Sequence, residues 1–414
     1  MYGWKSKMKV LSRGLVLLAV MSMVLGFAAL AGAAKGGPVR KIVLFDKSFV
    51  NENAQQGLLR AFGAEGEVLK LGIINGMALR LPEKAIEALS KNDKVILIED
   101  DIQVHAVKKP SWAGGGNDGG TPEPAQVLPW GVDRIDAEWA RPFKGIGVKV
   151  AVIDTGIDKR HPDLAVEGGI NFVTYSLVKG PNPAKWNDDN GHGTHVAGTI
   201  AALDNSKGVV GVAPEVSLYA VKVLDRNGSG FVSDVIAGIE WAVNNGMHLA
   251  NMSLTSNFGN TSLYNACNVA RDAGLIMVAA AGNDGSAVDY PAAYDSVIAV
   301  AAVDITDNVA HFSNRGTEID VAAPGVSIFS TDAGGGYATL DGTSMAAPHV
   351  TGALALLISE DLMSDGMGNF NLYKTELCET AEDLGTAGLD SLIGCGLVDA
   401  ALLATGNEVG NDLP

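Results

Sequence analysis

Two periodicities take turns along this chain. VRKIVLF (39–45) is an apolar run that reads as a strand. NENAQQGLLRAFGA (51–64) has Leu58, Leu59 and Phe62 on one side of an amphipathic helix. EVLKLGIINGMALRLP (67–82) gives two strands about Asn75-Gly76, a hairpin-type dipeptide. PEKAIEALSKN starts a helix at Pro82, with Ala85, Ile86 and Leu89 at helical spacing. KVILIEDDIQVHAV (94–107) supplies a last strand region. The order β-α-β-β-α-β predicts a small ferredoxin-like α+β domain over residues 35–107.

The pattern then stops and changes. KKPSWAGGGNDGGTPEP (108–124) is rich in Pro and Gly with almost no apolar content, and reads as a flexible linker. From Ala125 onward, nearly unbroken apolar runs recur: VKVAVIDTG (148–156), SLYAVKVL, HLANMSL, LIMVAAAGN and SVIAVAAV. Helical stretches such as SDVIAGIEWAVNNG and SLYNACNVARDAG lie between them. Buried strands alternating with helices predict an α/β unit over 125–414, with a parallel sheet covered on both faces. Ligands on such sheets sit at the carboxyl ends of the strands. Asp154 and Asn283 each follow an apolar run directly, so both belong at that edge.

Charge and cysteine content narrow the class. Of 30 Lys+Arg and 47 Asp+Glu, the first 124 residues hold 16 and 12, which leaves 14 and 35 for the rest. So acidic a body excludes nucleic acid as a partner, because phosphate binding needs clustered cations. Part of the asymmetry is a basic start (Lys5, Lys7, Lys9, Arg13), followed by the apolar run Leu15–Leu30 and AGAAKG. This reads as a secretory signal over residues 1–34, with cleavage near Ala33 or Ala34. No later segment is long and apolar enough to span a membrane. A secreted protein, monomeric and unanchored once the signal is removed, is expected. Three cysteines make no disulfide scaffold. Cys378 and Cys395 are candidates to pair, and Cys267 reads as a small buried apolar residue.

The chemistry concentrates in NGHGTHVAGT (190–199), where His192 and His195 sit three apart. They could be a metal pair, a base beside a bystander, or two packed histidines. A metal pair would want HExxH or a third ligand nearby, and GHGTH has neither the Glu nor the i, i+4 spacing. DGTSMAAPHV (341–350) places Ser344 among small residues at the start of a predicted helix. A nucleophilic serine needs a base, and the base an orienting carboxylate. Asp154, one of the two histidines and Ser344 supply that set.

VAVIDTGID, NGHGTHVAGTIAA, VAAAGN and GTSMAAPHV resemble the signature segments of the subtilisin-like serine proteases, the subtilases. The resemblance runs from about Ala125 to about Ala401, with the segments in the family's order. Residues 39–107 resemble the family's inhibitor pro-domain more diffusely. The resemblance implies a three-layer fold with a seven-stranded parallel sheet. It also implies secreted endopeptidase activity on polypeptides, a pro-domain that inhibits its own protease, and autoprocessing. By the motif the base is His192; His195, one turn into the helix, is then a structural core histidine. Asp154 orients His192, and Asn283 matches the oxyanion-hole amide.

Two further sets rest on the same resemblance. Gly228, Ser229, Gly230 and Val232 match one substrate-pairing strand. Ser253, Leu254 and Thr255 match the other, and Ala280, Ala281 and Gly282 a pocket wall. Val232, Val235 and Leu254 would form an apolar P4 site, which points to apolar substrate side chains. Family members usually carry glycine where this chain has Thr255 and Ser256. Gln126, Asp163, Leu203, Asn205, Lys207 and Val209 match the family's strong structural calcium site; Leu203, Lys207 and Val209 would give carbonyl oxygens only. A cut after Val107 would put Val104 at P4 and Val107 at P1, which suits the apolar pockets. A cut before Ala125 would put Pro124 at P1, whose ring fits an extended strand poorly. First cleavage is therefore expected at Val107–Lys108, with the linker trimmed later so that Gln126 can join the calcium site. A catalytically weak scaffold acting as a binding protein, or a peptide ligase on the same acyl-enzyme, are the alternatives.

Overall fold

The structure is a computed structural model of the 414-residue chain. It describes residues 37–106, 125–140, 143–173, 181–364, 366–385 and 387–407. The expected export signal, the linker and Val107 lie outside the described residues.

The amino-terminal domain runs β1 (Val39–Phe45), α1 (Glu52–Ala61), β2 (Glu65–Leu71), β3 (Gly76–Leu81), α2 (Glu83–Leu89) and β4 (Val95–Asp100). Its sheet has the order β2-β3-β1-β4 with every neighbour antiparallel, which is the ferredoxin-like arrangement. A short 3₁₀ turn links β2 to β3 and ends at Asn75, in the left-handed region at φ 49°. The Asn75 amide stabilises that turn by donating to the Phe45 and Asp46 carbonyls at 3.1 and 3.0 Å.

Strand β1 is apolar at consecutive positions because both its faces are covered. Val43 and Phe45 join Leu59, Met77 and Leu89 in a small core under the two helices. Ile42 and Leu44 point the other way, into a cluster shared with Val235, Ile236 and Ile239 of the main body. The last predicted strand region divides at Asp101. Its second part, β5 (Gln103–Ala106), leaves the domain's sheet altogether. Its hydrogen bonds go to residues more than 120 positions away, which no local pattern can announce.

The body contributes α3 (Trp130–Arg134), β6 (Lys149–Asp154), β7 (Val166–Asn171), α4 (His192–Ala201), β8 (Ser217–Lys222), β9 (Ser229–Phe231) and α5 (Val232–Asn244). There follow β10 (Leu249–Met252), β11 (Leu254–Thr255), α6 (Thr261–Asp272), β12 (Ile276–Ala280), β13 (Ile298–Val303) and β14 (Val321–Pro324). The hairpin β15 (Ile328–Asp332) and β16 (Gly336–Leu340) precedes α7 (Thr343–Met363), α8 (Phe370–Glu379) and α9 (Ala400–Thr405). Seven strands form one parallel sheet, in the order β14-β13-β12-β10-β6-β8-β7.

Alternate strand residues feed two cores, as a period of two requires. Val150, Val152, Leu218 and Val278 pack with α4 and α7 on one face. Ala151, Ile153, Val221 and Met277 pack with α5 and α6 on the other. This is the predicted three-layer α/β fold. Cys378 and Cys395 form a disulfide. Cys267 is buried in α6, and burial pushes its thiol up to about 12, so it is inert at neutral pH. Among the described residues no helix is long and apolar enough to cross a membrane.

Candidate active site

Strand β6 is buried along its length and ends in Asp154, itself fully buried. The Asp154 carboxylate accepts from the Thr155 N–H at 2.6 Å. His192 Nδ1 lies 2.8 and 3.0 Å from its two oxygens. A carboxylate can only accept, so Nδ1 carries the proton and Nε2 is the basic nitrogen.

The head of α4 is built to hold His192 there. Asp188 accepts from the N–H groups of Asn190, Gly191 and Thr194 and from the Thr194 hydroxyl, at 2.6–3.0 Å. This satisfies donors that the first helical turn leaves open. The Gly193 N–H donates to Thr155 Oγ1 at 2.9 Å, which ties the helix to the turn carrying Asp154. A Cβ at Gly193 would come within 2.2 Å of the Gly156 carbonyl, so only glycine fits. His195 is fully buried, and its Nε2 donates to the Ile328 and Ala338 carbonyls, both at 3.1 Å. It anchors the β15–β16 hairpin.

Ser344 is the second residue of α7. Four residues later stands Pro348, which has no N–H, so the Ser344 carbonyl lacks its usual helical donor. The Ser253 hydroxyl donates to it instead, at 2.8 Å. Ser253 Oγ in turn accepts from Asn251 Nδ2 at 3.0 Å, and Asn251 Oδ1 accepts from the Thr351 hydroxyl at 2.9 Å. The helix start is thus pinned by a buried chain of side chains. Ser344 Oγ itself donates to the Ser253 carbonyl at 3.2 Å.

Asn283 follows β12. Its Oδ1 accepts from both the N–H and the hydroxyl of Thr343, each at 2.9 Å. Those two donors fix the orientation of the amide, so Nδ2 is the end that can donate. A Cβ at Gly342, where φ is 149°, would sit 2.8 Å from that nitrogen, so the glycine leaves room for it beside Ser344.

A cleft runs across this edge of the sheet, and the amino-terminal domain fills it. Strand β5 lies between β9 and β11, antiparallel to both. Val104 pairs with Gly230, His105 with Ser229 and Thr255, and Ala106 with Leu254. The Ala106 N–H donates to the Gly228 carbonyl at 2.8 Å. Val104 is fully buried in the apolar cluster that holds Val232, Val235 and Leu254. Ala280 and Ala281 are fully buried as well.

The subtilase family profile matches residues 145–396. The chain is 48% identical to subtilisin E of Bacillus subtilis over 294 residues, which is 69% of this chain and 71% of that protein. It is 45% identical over 323 residues to the thermostable alkaline protease of Halalkalibacterium halodurans, 77% of this chain and 80% of the other. With an alkaline protease of Shouchella clausii it shares 44% over 327 residues, 78% of each. This chain is a subtilase. More narrowly, it is a subtilisin-type serine endopeptidase acting on polypeptides.

The subtilase's candidate calcium residues also come together. Asp163 is fully buried, and burial holds its carboxyl above the usual range. Its oxygens accept from Asn205 Nδ2 at 2.8 Å and from the Val209 N–H at 2.9 Å. Gln126 Oε1 accepts from the Asn205 N–H at 3.1 Å, and the Leu203 N–H donates to the Asp163 carbonyl at 3.0 Å. Gln126 was expected to reach this loop only after the linker is trimmed. It is there already, because Ala125 and Val127 bridge to Lys207 and Val209. Asp163, Gln126 and Asn205 carry oxygens of the kind Ca²⁺ takes, and in this structure those oxygens accept from N–H groups of the same loop.

Sequence reasoning passed over Asp188 and Thr343. Asp188 stands four residues before His192, outside the usual N-cap position, which Gly191 holds, so no cap rule points to it. Thr343 carries no local signal either, since its role depends on Asn283, sixty residues away.

Proposed function

We propose that Ser344 is the nucleophile, His192 the general base and Asp154 the carboxylate that fixes its tautomer. Ser344 Oγ turns from the Ser253 carbonyl toward His192 when a peptide occupies the cleft, and gives its proton to Nε2 as it attacks the scissile carbonyl carbon. The oxygen of that carbonyl becomes an oxyanion, held by Asn283 Nδ2 and the Ser344 N–H. His192 returns the proton to the departing amine, and water then releases the acyl group by the same steps. Asp154 stabilises the imidazolium and stays ionised throughout.

The observation that carries this reading is the register of β5. If Val104 occupies the P4 site, His105 is P3, Ala106 is P2 and the next residue, Val107, is P1. We assign first cleavage to Val107–Lys108 in cis. The amino-terminal domain stays bound afterwards as an inhibitor, its β5 occupying the substrate strand. Export accords with the Cys378–Cys395 disulfide, a bond that persists in oxidising compartments. Gln126, Asp163, Leu203, Asn205, Lys207 and Val209 would hold a calcium ion, whose contribution is to stabilise the loops it joins.

Intact-mass analysis of the first processing products tests this reading, with Ser344→Ala as the uncut control. A first fragment ending at Val107, absent in the control, is expected. A fragment ending at Pro124, or cutting of purified Ser344→Ala at the same bond, would overturn cis cleavage. Labelling of Ser344 by a serine-directed phosphonate separates a working protease from a binding scaffold.

A further inference from the structure

Thr255 and Ser256 end the second substrate-pairing segment, and their side chains face different ways. Ser256 turns back into its own loop, donating to the Phe258 carbonyl at 3.2 Å. Thr255 lies near the carboxylate of Asp289 and favours its ionised form. Asp289 lies in the loop between β12 and β13 and is buried. Its N–H donates to the Ala281 carbonyl at 2.9 Å. The adjoining Tyr290 exchanges two backbone hydrogen bonds with Ser256, at 2.8 and 3.0 Å. Both assigned walls of the P1 pocket are therefore tied to the segment Asp289-Tyr290.

The carboxylate presses on the wall itself. Gly282, at φ 114°, has the Asn314 amide nitrogen nearest to where a Cβ would be and Asp289 Oδ2 next, at 2.5 Å, so the acid and that amide share the bare face of the residue. Among the described residues no lysine or arginine lies within ion-pair distance of Asp289. Asp284, the other titratable group that bears on it, is itself an acid. Burial first, and Asp284 second, push the Asp289 carboxyl up to about 6. A buried anion without a cation is costly. A bound cation would offset that cost.

We propose that Asp289 is a specificity-determining residue that selects lysine or arginine at P1. This rests on the reading that residues 254–256 and 280–282 form the P1 pocket. It keeps the expectation of an apolar side chain at P4 and departs from it at P1. Val107, the P1 residue of self-cleavage, need not match the preference, because a cut in cis proceeds at high effective concentration.

The test is kcat/KM on succinyl-Ala-Ala-Pro-X p-nitroanilides, with X lysine, methionine or glutamate, near pH 8. Lysine and methionine are similar in length, so their ratio isolates the charge. The mature enzyme is expected to favour lysine over methionine and to reject glutamate. Asp289→Asn should reduce the lysine-to-methionine ratio roughly 10- to 100-fold, the range for a hydrogen bond to a charged group. Asp289→Ser is the second variant should the first not fold. The unmodified enzyme gives an independent arm: its ratio should fall between about pH 8 and about pH 5 as the carboxyl is protonated, and triad titration cancels in the ratio. Methionine cleavage with no lysine preference near pH 8, or an unchanged ratio in both variants, overturns the proposal and leaves the protease reading intact. No turnover of any substrate together with no phosphonate label at Ser344 would overturn both.

Discussion

Arg40 donates to the Asp234 carboxylate at 3.1 Å, across the seam between the amino-terminal domain and the protease body. The same guanidinium donates to Ser233 Oγ at 2.8 Å, pairs with Asp101 and lies 4.0 Å over the Phe231 ring. Asp101 also caps α5, accepting from the Ser233 N–H at 2.9 Å and from its hydroxyl at 2.7 Å. One cation therefore holds two buried acids together at the start of the helix that follows β9.

Removing that cation should loosen the inhibitor. Arg40→Met leaves Asp101 and Asp234 facing each other in a buried site. Breaking a buried pair in this way costs about 3–5 kcal/mol. Inhibition of the mature enzyme by the separately added variant domain should weaken by at least about a hundredfold. An inhibition constant within a factor of three of the unsubstituted domain's would count against the role assigned to Arg40.

Asp234 should make the uncut chain pH-sensitive. Burial is the main reason its carboxyl is pushed up to about 7, with the pull of Arg40 acting the other way. A carboxyl raised on folding contributes stability that is complete below its ordinary range and is lost as pH rises through the folded value. Relative to the same Ser344→Ala chain carrying Asp234→Asn, the urea midpoint should fall between about pH 4 and about pH 8. Parallel curves would refute this.

The two histidines should part company on substitution. His192→Ala is expected to lower kcat by about six orders of magnitude and to abolish self-processing; that size is the one known from a subtilisin triad. His195→Ala removes the bonds to Ile328 and Ala338 and should lower the melting temperature, while the folded fraction keeps its turnover. Single-turnover kinetics on refolded protein, alongside thermal melts, would distinguish them.

Asn283→Ala should cost roughly 10²–10³ in kcat with little change in KM, a magnitude measured on a subtilisin's own oxyanion-hole asparagine. Thr343→Val is the more informative variant. It deletes the hydroxyl bond to Asn283 Oδ1 and keeps the N–H bond, so the amide loses half of what orients it. A kcat loss of about tenfold, again with KM held, is expected. A loss confined to KM would place Thr343 in substrate binding instead.

Chelation should lower the melting temperature and speed autolysis. Ca²⁺ at a hundred times its dissociation constant adds about 2.7 kcal/mol to the native state. Asp163→Asn should abolish most of the difference between melts with and without chelator. An equal difference in both proteins would place the calcium elsewhere.

Much of the catalytic edge was readable from the chain because strand ends are local signals. VKVAVID and LIMVAAAGN deliver Asp154 and Asn283 to one edge of the sheet without any knowledge of partners. The choice between His192 and His195 was not local, since both sit in the same run of small residues; the family motif decided it. What stayed hidden is what depends on contacts between distant segments. Asp101 falls inside the last predicted strand region, yet it is where the strand breaks and a helix of the body is capped.

The pairing of β5 on both sides has a consequence for the choice of victims. Once β5 departs, β9 and β11 are left as two facing edges, three and two residues long. What they read is a polypeptide backbone lying flat, about four residues at a stretch. A folded protein rarely offers one, because its own ladders and helices already occupy those backbone groups. Digestion of native proteins should thus proceed at a pace set by how often the target opens a segment of its own accord. The cleft discriminates first by disorder and only then by side chain.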